Sequence, residues 1–138
     1  MATAPSHTLL FENTAGQLLA DSAGFLRMRW SASPRTLAAT QAYLGHVRDS
    51  LRAHGWSRVL TNQTDMPAFS PTEQAWVTQE WLPEAVAAGY RTGAIVVASN
   101  IFSRLATSFV TTNVQGLPLR YRSFDDEATA VAWLLQQG

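Results

Sequence analysis

Two short polar segments carry the side chains that could do chemistry in this chain. Asn62-Gln63-Thr64-Asp65-Met66 supplies amide, hydroxyl and carboxylate groups, and Ser99-Asn100 adds a hydroxyl and another amide. Each segment follows a short apolar run that predicts a strand. Because ligands of open α/β sheets bind beyond the carboxyl ends of parallel strands, these residues predict a ligand or partner site at one sheet edge. In the alternative, Asp65 and Asn100 only cap turns and helices.

Other reactive groups are scarce. The chain contains no cysteine, so it has no thiolate nucleophile, no disulfide and no cysteine-bound metal. His46 and His54 are eight positions apart on a predicted helix, a spacing that does not form a metal pair. No glycine-rich phosphate loop and no nucleophile-elbow motif occurs. We therefore expect no metal, no cofactor and no enzymatic activity.

Length and charge narrow the classes of function. The 138 residues predict one domain, 1–138, with residues 1–7 expected to be flexible. Ten basic and ten acidic residues cancel, which gives no electrostatic reason to expect nucleic acid. The first residues lack the basic and apolar regions of a signal peptide, and no apolar stretch approaches the ~20 residues that span a bilayer. We expect a cytoplasmic protein without stable membrane insertion.

The apolar run Gly93–Ser99 predicts the central strand of the fold. It carries no charge, which is typical of a strand buried on both faces. Three earlier strands joined by short turns should pair antiparallel, and two more alternate with helices and should be parallel; the five lie at 8–12, 17–20, 25–30, 57–61 and 117–124. The predicted fold class is α/β, with a single mixed sheet, antiparallel N-terminal strands, parallel βαβ units and about four flanking helices.

Capping and breaking residues delimit the helices. A first helix should open at Ser33-Pro34 and end before Gly55, and Ser70-Pro71-Thr72-Glu73 predicts a capping box. Because Pro83 cannot donate a backbone hydrogen bond, the helix 71–88 should kink or restart near Leu82. Two further helices complete the set. One follows Asn100 with Ile101, Leu105 and Phe109 at four-residue spacing; the last should direct Val131, Leu134 and Leu135 inward.

Five tryptophans are the least ordinary feature of the composition. Trp76 and Trp81 are five positions apart, so one should face the core while the other is more exposed. Together with Phe69 and Met66 they could line an apolar pocket or a dimer contact, and core packing alone is the alternative.

Three stretches carry a resemblance to a known family: Asp65 with Ser70–Trp76 and Glu80-Trp81-Leu82-Pro83, the run Gly93–Ser99 after Ala88-Gly89, and Arg122–Ala128 with Ala132-Trp133-Leu134. On these residues, the chain from about Leu9 onward resembles the STAS-like proteins of the SpoIIAA-like group (STAS/SEC14), which are small bacterial proteins. The resemblance implies a mixed sheet with flanking helices. It also implies binding rather than catalysis, because relatives act as anti-anti-sigma factors, as regulatory domains of anion transporters or as lipid carriers.

The resemblance also directs attention to phosphorylation. In anti-anti-sigma factors, an Asp-Ser-x-Gly stretch at the end of a central strand carries the serine whose phosphorylation switches partner binding. Here Asp21-Ser22-Ala23-Gly24 lies between two extended segments and is interpreted as a hairpin turn. The position that matches the family's switch is the loop 62–66, which offers Thr64 as the phosphosite.

These observations predict a non-enzymatic STAS-like binding or regulatory domain that forms a homodimer or binds a regulatory protein. The alternative is a carrier of a small apolar or lipid-like ligand, held in a pocket between the sheet and the helix 71–88. A third hypothesis is an enzyme that uses the carboxylate of Asp65.

Overall fold

A computed structural model describes residues 6–112 and 116–137. Three strands come first: His7–Asn13 (β1), Gly16–Asp21 (β2) and Phe25–Trp30 (β3). Helices and strands then alternate: Leu37–His54 (α1), Arg58–Asn62 (β4), Pro71–Trp76 (α2), a π-helical turn Val77–Trp81, Leu82–Ala87 (α3), Thr92–Val96 (β5), Ile101–Thr112 (α4), Arg120–Phe124 (β6) and Glu127–Leu135 (α5). Because α2, the π turn and α3 follow one another directly, they form one continuous helical segment.

The six strands lie side by side in the order in which the chain makes them. Strands β1 to β3 are antiparallel, and β3 to β6 are parallel. Right-handed crossovers that always step in one direction place their helices on one face of the sheet. Accordingly α1, α3 and α4 share a core with one face, and α5 packs on the other. The predicted α/β class with a single mixed sheet is confirmed.

The central strand is buried as its sequence predicts. All five residues of β5 are buried, with Ala94 and Val96 in the cluster that packs against α5. On the opposite face, only glycine fits at position 93, because Tyr90 and Tyr121 occupy the space that a side chain would need. Burial raises the pKa of Tyr121 to about 12, so the phenol stays neutral where the two rings meet edge to face at 6.0 Å.

The first helix begins later than the sequence predicts. It starts at Leu37, not at Ser33-Pro34, because Thr36 Oγ1 caps it by accepting a hydrogen bond from Ala39 N at 3.1 Å. Its end at Gly55 is confirmed, with φ at 67°. The capping box of Ser70 and Glu73 is also confirmed.

The proline inside the second helix has the expected effect. A new helix starts at Leu82, whose backbone N–H donates to Val77 O, five positions back instead of four. Pro83 follows directly and has no N–H of its own, so the regular ladder is interrupted here. The wider turn carries two buried side chains, Val77 and Trp81, against the core.

Helix α4 has its apolar side facing outward. We call Ile101, Phe102, Leu105 and Phe109 the α4 stripe; their side chains are 65%, 71%, 61% and 51% exposed. Residues with shorter side chains face the core instead: Ser103, Ala106, Thr107 and Val110. An amphipathic helix normally buries its apolar stripe, so α4 is reversed with respect to the usual pattern. None of the helices in the described residues is long and apolar enough to span a membrane.

One prediction about α5 is wrong. Leu135 is 48% exposed, because α5 turns Ala130 and Leu134 toward the sheet instead. The flexibility expected for residues 1–7 stays a prediction; within that segment, His7 begins β1 opposite Asp21. The rest of the segment predicted to be flexible lies outside the described residues, apart from Ser6, whose carbonyl accepts from Ser22 N at 3.0 Å.

We predict that Gly93→Ala destabilises the fold by about 1–3 kcal/mol, the usual effect of overpacking a filled core. The added methyl group would lie 2.6 Å from Tyr121 Cδ1 and would overlap the Tyr90 hydroxyl. Urea unfolding of both proteins measures the difference. The matched control is Gly45→Ala on α1, where the nearest atom is 3.7 Å away; there we expect no loss, or a gain of up to ~1 kcal/mol. An unchanged midpoint for Gly93→Ala would contradict the crowding argument.

Candidate functional site

The polar residues singled out in the sequence lie together at the carboxyl ends of the parallel strands. An open strand-end groove of about 580 Å³ is lined by Thr64, Asp65, Met66, Ser99 and Asn100, among others. Its two sides are joined where Ser99 N donates to Thr64 O at 3.1 Å. Asn62 lies beside it, in a second groove of about 800 Å³ to which Thr64 and Asp65 also belong.

Most of these polar side chains bind other parts of the protein. Asn62 Nδ2 donates to Glu127 Oε2 at 2.9 Å, and its Oδ1 accepts from the hydroxyl and the backbone N–H of Thr64 at 2.7 and 3.0 Å. Asn100 Oδ1 accepts from Phe102 N at 2.8 Å and so caps α4. The alternative interpretation, in which this residue only caps a helix, therefore describes Asn100 well. Asp65 is different, because it is exposed and makes no hydrogen bond within the described residues.

Asp65 shares the larger groove with one other carboxylate among the described residues, that of Glu12. In the described part of the chain, no three His, Cys, Asp or Glu side chains come close enough to hold a metal ion. One exposed carboxylate beside hydroxyl and amide groups can accept hydrogen bonds from a ligand or partner. A general acid–base pair would need a second titratable group within reach.

The two candidate phosphosites are both exposed. Ser22 lies in the turn between β2 and β3, as the hairpin interpretation predicts, and its Oγ accepts from Ser6 N at 3.2 Å. The Thr64 hydroxyl is bonded to Asn62. Phosphorylation of Thr64 would break that bond and place new negative charge beside Asp65. Modification of either residue stays a prediction.

A buried ion pair holds the loop that forms the groove. Glu73 and Arg35 side chains are 8% and 4% exposed, and Arg35 Nε donates to Glu73 Oε2 at 2.8 Å. The same carboxylate accepts from Thr40 Oγ1 at 2.6 Å and from Ser70 N at 2.8 Å. Burial opposes ionisation of Glu73, but hydrogen bonds from Arg35, Thr40 and Ser70 outweigh it and lower the pKa of Glu73.

Arg35 also reaches the loop and its aromatic neighbours. Its guanidinium donates to Pro67 O at 3.2 Å and lies 5.2 and 5.6 Å from the ring centres of Trp30 and Phe69. The loop after β4 is therefore fixed to α1 and to the end of β3 by one side chain. The sequence predicted the capping role of Glu73 but not its partner Arg35, which lies 38 positions earlier.

A second polar network crosses the face of the sheet that carries α5. Arg27 donates to Asp21 at 2.7 Å and to Glu127 at 2.5 Å, and Glu127 in turn binds Asn62. Burial opposes ionisation of Asp21, but hydrogen bonds from Ala23 N and Arg27 lower its pKa. Because Arg27 and Glu127 are 100 positions apart, no local sequence pattern indicates this pair.

The apolar residues singled out in the sequence divide as their spacing predicts. Trp81 is 5% exposed and donates from Nε1 to Leu44 O at 2.6 Å, whereas Trp76 is half-buried at the edge of the core. Phe69 and Trp81 line a cavity of about 50 Å³ between the sheet and the helices. Trp76 is not among its lining residues. Trp30 also lines this cavity and the larger groove.

Comparison with protein-family models, with curated protein sequences and with solved structures finds no match to this chain. The fold and the grooves define a mixed-sheet α/β protein with a polar strand-end surface. The resemblance to STAS-like proteins therefore stays a prediction from the sequence.

We predict that Glu73→Gln lowers the free energy of unfolding by about 3 kcal/mol near neutral pH, because Arg35 would stay buried without its counter-ion. The pKa of Glu73 is lower in the folded protein than its ordinary 4.5. Its contribution is therefore present above pH 4.5 and is lost as the pH falls through the folded value. The difference in the free energy of unfolding between Glu73→Gln and the wild type should therefore become smaller as the pH falls.

Denaturant unfolding at a series of pH values checks this dependence. The control is Glu80→Gln, an exposed carboxylate on the same helical segment, for which we expect a change below ~0.5 kcal/mol. If the Glu73→Gln deficit were constant at all pH values, the ion pair would not be its source.

Proposed function

We propose that this protein is a cytoplasmic, non-enzymatic STAS-like binding domain with a regulatory role, and that it self-associates through the α4 stripe. The observation that carries the proposal is the reversed orientation of α4. Four of the six large apolar side chains that are exposed in the described residues lie on this one helix. Contiguous apolar surface of this kind is typical of interaction sites.

The orientation of α4 is held by specific polar contacts. Ser103 Oγ donates to Met66 O at 2.7 Å, and Thr107 Oγ1 donates to Gln63 Oε1 at 2.8 Å. Both contacts are buried, so rotating the helix to bury its apolar stripe would leave polar groups unpaired in the core. The outward stripe is therefore built into the packing of the helix.

A second copy of the chain fits this surface best. The stripe is uncharged, and Arg104, the one charged residue on α4, uses its Nε to donate to Ala98 O at 2.6 Å. Two antiparallel α4 helices would cover each other's apolar side chains without bringing a row of like charges together. A membrane surface fits less well, because helices that lie on membranes are rich in lysine and arginine.

The size of the stripe sets the expected strength. Its four side chains offer roughly 400 Å² of apolar surface, about half of the ~800 Å² that each partner buries in a stable complex. We therefore expect a reversible dimer. Phe102 belongs to the stripe and also lines the strand-end groove, so Thr64 and Asp65 would lie near the rim of the interface, where a bound regulator could alter it.

A second candidate function is carriage of a small molecule. The cavity lined by Phe69 and Trp81 favours it. The volume of about 50 Å³ is smaller than the ~150 Å³ that holds a benzene molecule in an engineered cavity of another protein. An acyl chain does not fit this space, so the carrier hypothesis narrows to molecules of a few atoms.

We predict that Leu105→Asp weakens self-association more than about tenfold, because it places a charge at the centre of the apolar contact. Sedimentation equilibrium over a range of concentrations measures the dissociation constant. Leu135→Asp is the matched control. Leu135 is also exposed, but it lies on α5 at the opposite face of the sheet.

Only the α4 variant should shift toward monomer, and both should keep the unfolding midpoint of an intact fold. A wild-type protein that stays monomeric at high concentration would rule out the second copy as occupant. Equal weakening by both substitutions would place the interface elsewhere.

A further inference from the structure

The cavity of about 50 Å³ lies beneath α4 and beside the π-helical turn. Its walls come from β3, β4 and β5, from α1, the π turn and α4, and are mostly aromatic or aliphatic; they include Met28, Trp30, Val77, Trp81, Ile95 and Val110. Thr61 and Thr107 are among the polar residues that line it.

Trp30, one of the residues that line this cavity, carries an unsatisfied hydrogen-bond donor. Trp30 is 6% exposed, and its Nε1 is the one buried side-chain nitrogen or oxygen without a partner in the described part of the chain. The ring is held on two sides, by Tyr43 and Phe69, whose ring centres lie 5.0 and 5.5 Å away in edge-to-face contact. A buried donor that lacks an acceptor destabilises the fold. An acceptor that bound here would remove that penalty.

Water alone is a poor occupant of this space. At 10–15 Å³ per molecule the cavity would take roughly three to five waters, and each ordered water needs about two to four polar partners. The polar lining is already engaged in part, because Thr107 donates to Gln63 and the Thr61 hydroxyl points to Met28 Sδ at 3.7 Å. A single molecule with one acceptor and an apolar body matches these walls better than a water cluster does.

The π-helical turn is a second feature of the same cavity. Val77 and Trp81 begin and end it and both line the cavity. Trp81 is fixed there by its bond to Leu44 O. Such turns are irregular and are found frequently at functional sites.

We propose that this cavity binds an uncharged carbonyl compound of about four non-hydrogen atoms, a short ketone or aldehyde, whose oxygen accepts a hydrogen bond from Trp30 Nε1. A carbonyl oxygen brings an acceptor without adding a donor that would need its own partner. This proposal names the class of ligand for the second candidate function, the carriage of a small molecule. It does not depend on self-association through the α4 stripe.

Titration with acetone, followed by the indole N–H signals in proton–nitrogen NMR spectra, tests the proposal. We expect the Trp30 signal, assigned by its loss in Trp30→Phe, to shift saturably, with a dissociation constant of about 1 mM or weaker for a molecule this small. The other four of the five indole signals should move little. Isobutene has the same shape without an acceptor and should leave the Trp30 signal nearly unchanged.

A variant that fills the space gives the matched control. Val110→Leu adds one methylene group to the cavity wall and should abolish the acetone shift while the remaining indole signals report an intact fold. If Val110→Leu does not fold, saturation-transfer NMR that observes the ligand replaces it, with Trp30→Phe as the variant. Acetone should bind more tightly than isobutene to the wild type, and the two should bind equally to Trp30→Phe.

Three results would overturn the proposal. They are a linear acetone shift shared by all indoles, equal binding of acetone and isobutene, and an acetone shift that persists in Val110→Leu. The first would mean that acetone acts only as a cosolvent and does not bind in the cavity.

Discussion

The buried pair of Glu73 and Arg35 is the interaction on which the surface at the strand ends depends. One carboxylate joins the start of α2 to Thr40 on α1, and the guanidinium beside it reaches the loop at Pro67 and the ring of Trp30. A charge pair this deeply buried contributes less to net stability than to fixing one arrangement of its neighbours, since leaving either member alone is strongly unfavourable. The groove and the cavity both border on residues that this pair holds.

Much of the fold could be predicted because its signals are local. Gly93–Ser99 is apolar along its length, the box from Ser70 to Glu73 caps its own helix, and Pro83 interrupts the helix that contains it. The position of Asn62, Thr64, Ser99 and Asn100 at one edge followed from the alternation of strands and helices, which determines where parallel strands end. These inferences need only neighbours in the sequence or the general rules of βαβ connection.

The rest depends on partners that are distant in sequence. The spacing of Ile101, Leu105 and Phe109 describes a stripe but does not say which way it faces, and the buried partners of Ser103 and Thr107 decide that. Arg35, which lies just before α1, likewise binds a partner that is distant in sequence, Glu73. The bond between Asn62 and Glu127 likewise joins two elements that the chain makes 65 positions apart.

Helix α4 lies between the exposed stripe and the cavity. Its outer face presents the α4 stripe, and its inner face closes the cavity through Thr107 and Val110. Two buried side-chain hydrogen bonds hold this helix to the core. A ligand that displaced α4 on filling the space beneath it would also displace the stripe above it. The ligand binding proposed for the cavity and the self-association proposed for the stripe would be coupled as far as α4 differs between the empty and the filled states, and the coupling would act equally in both directions.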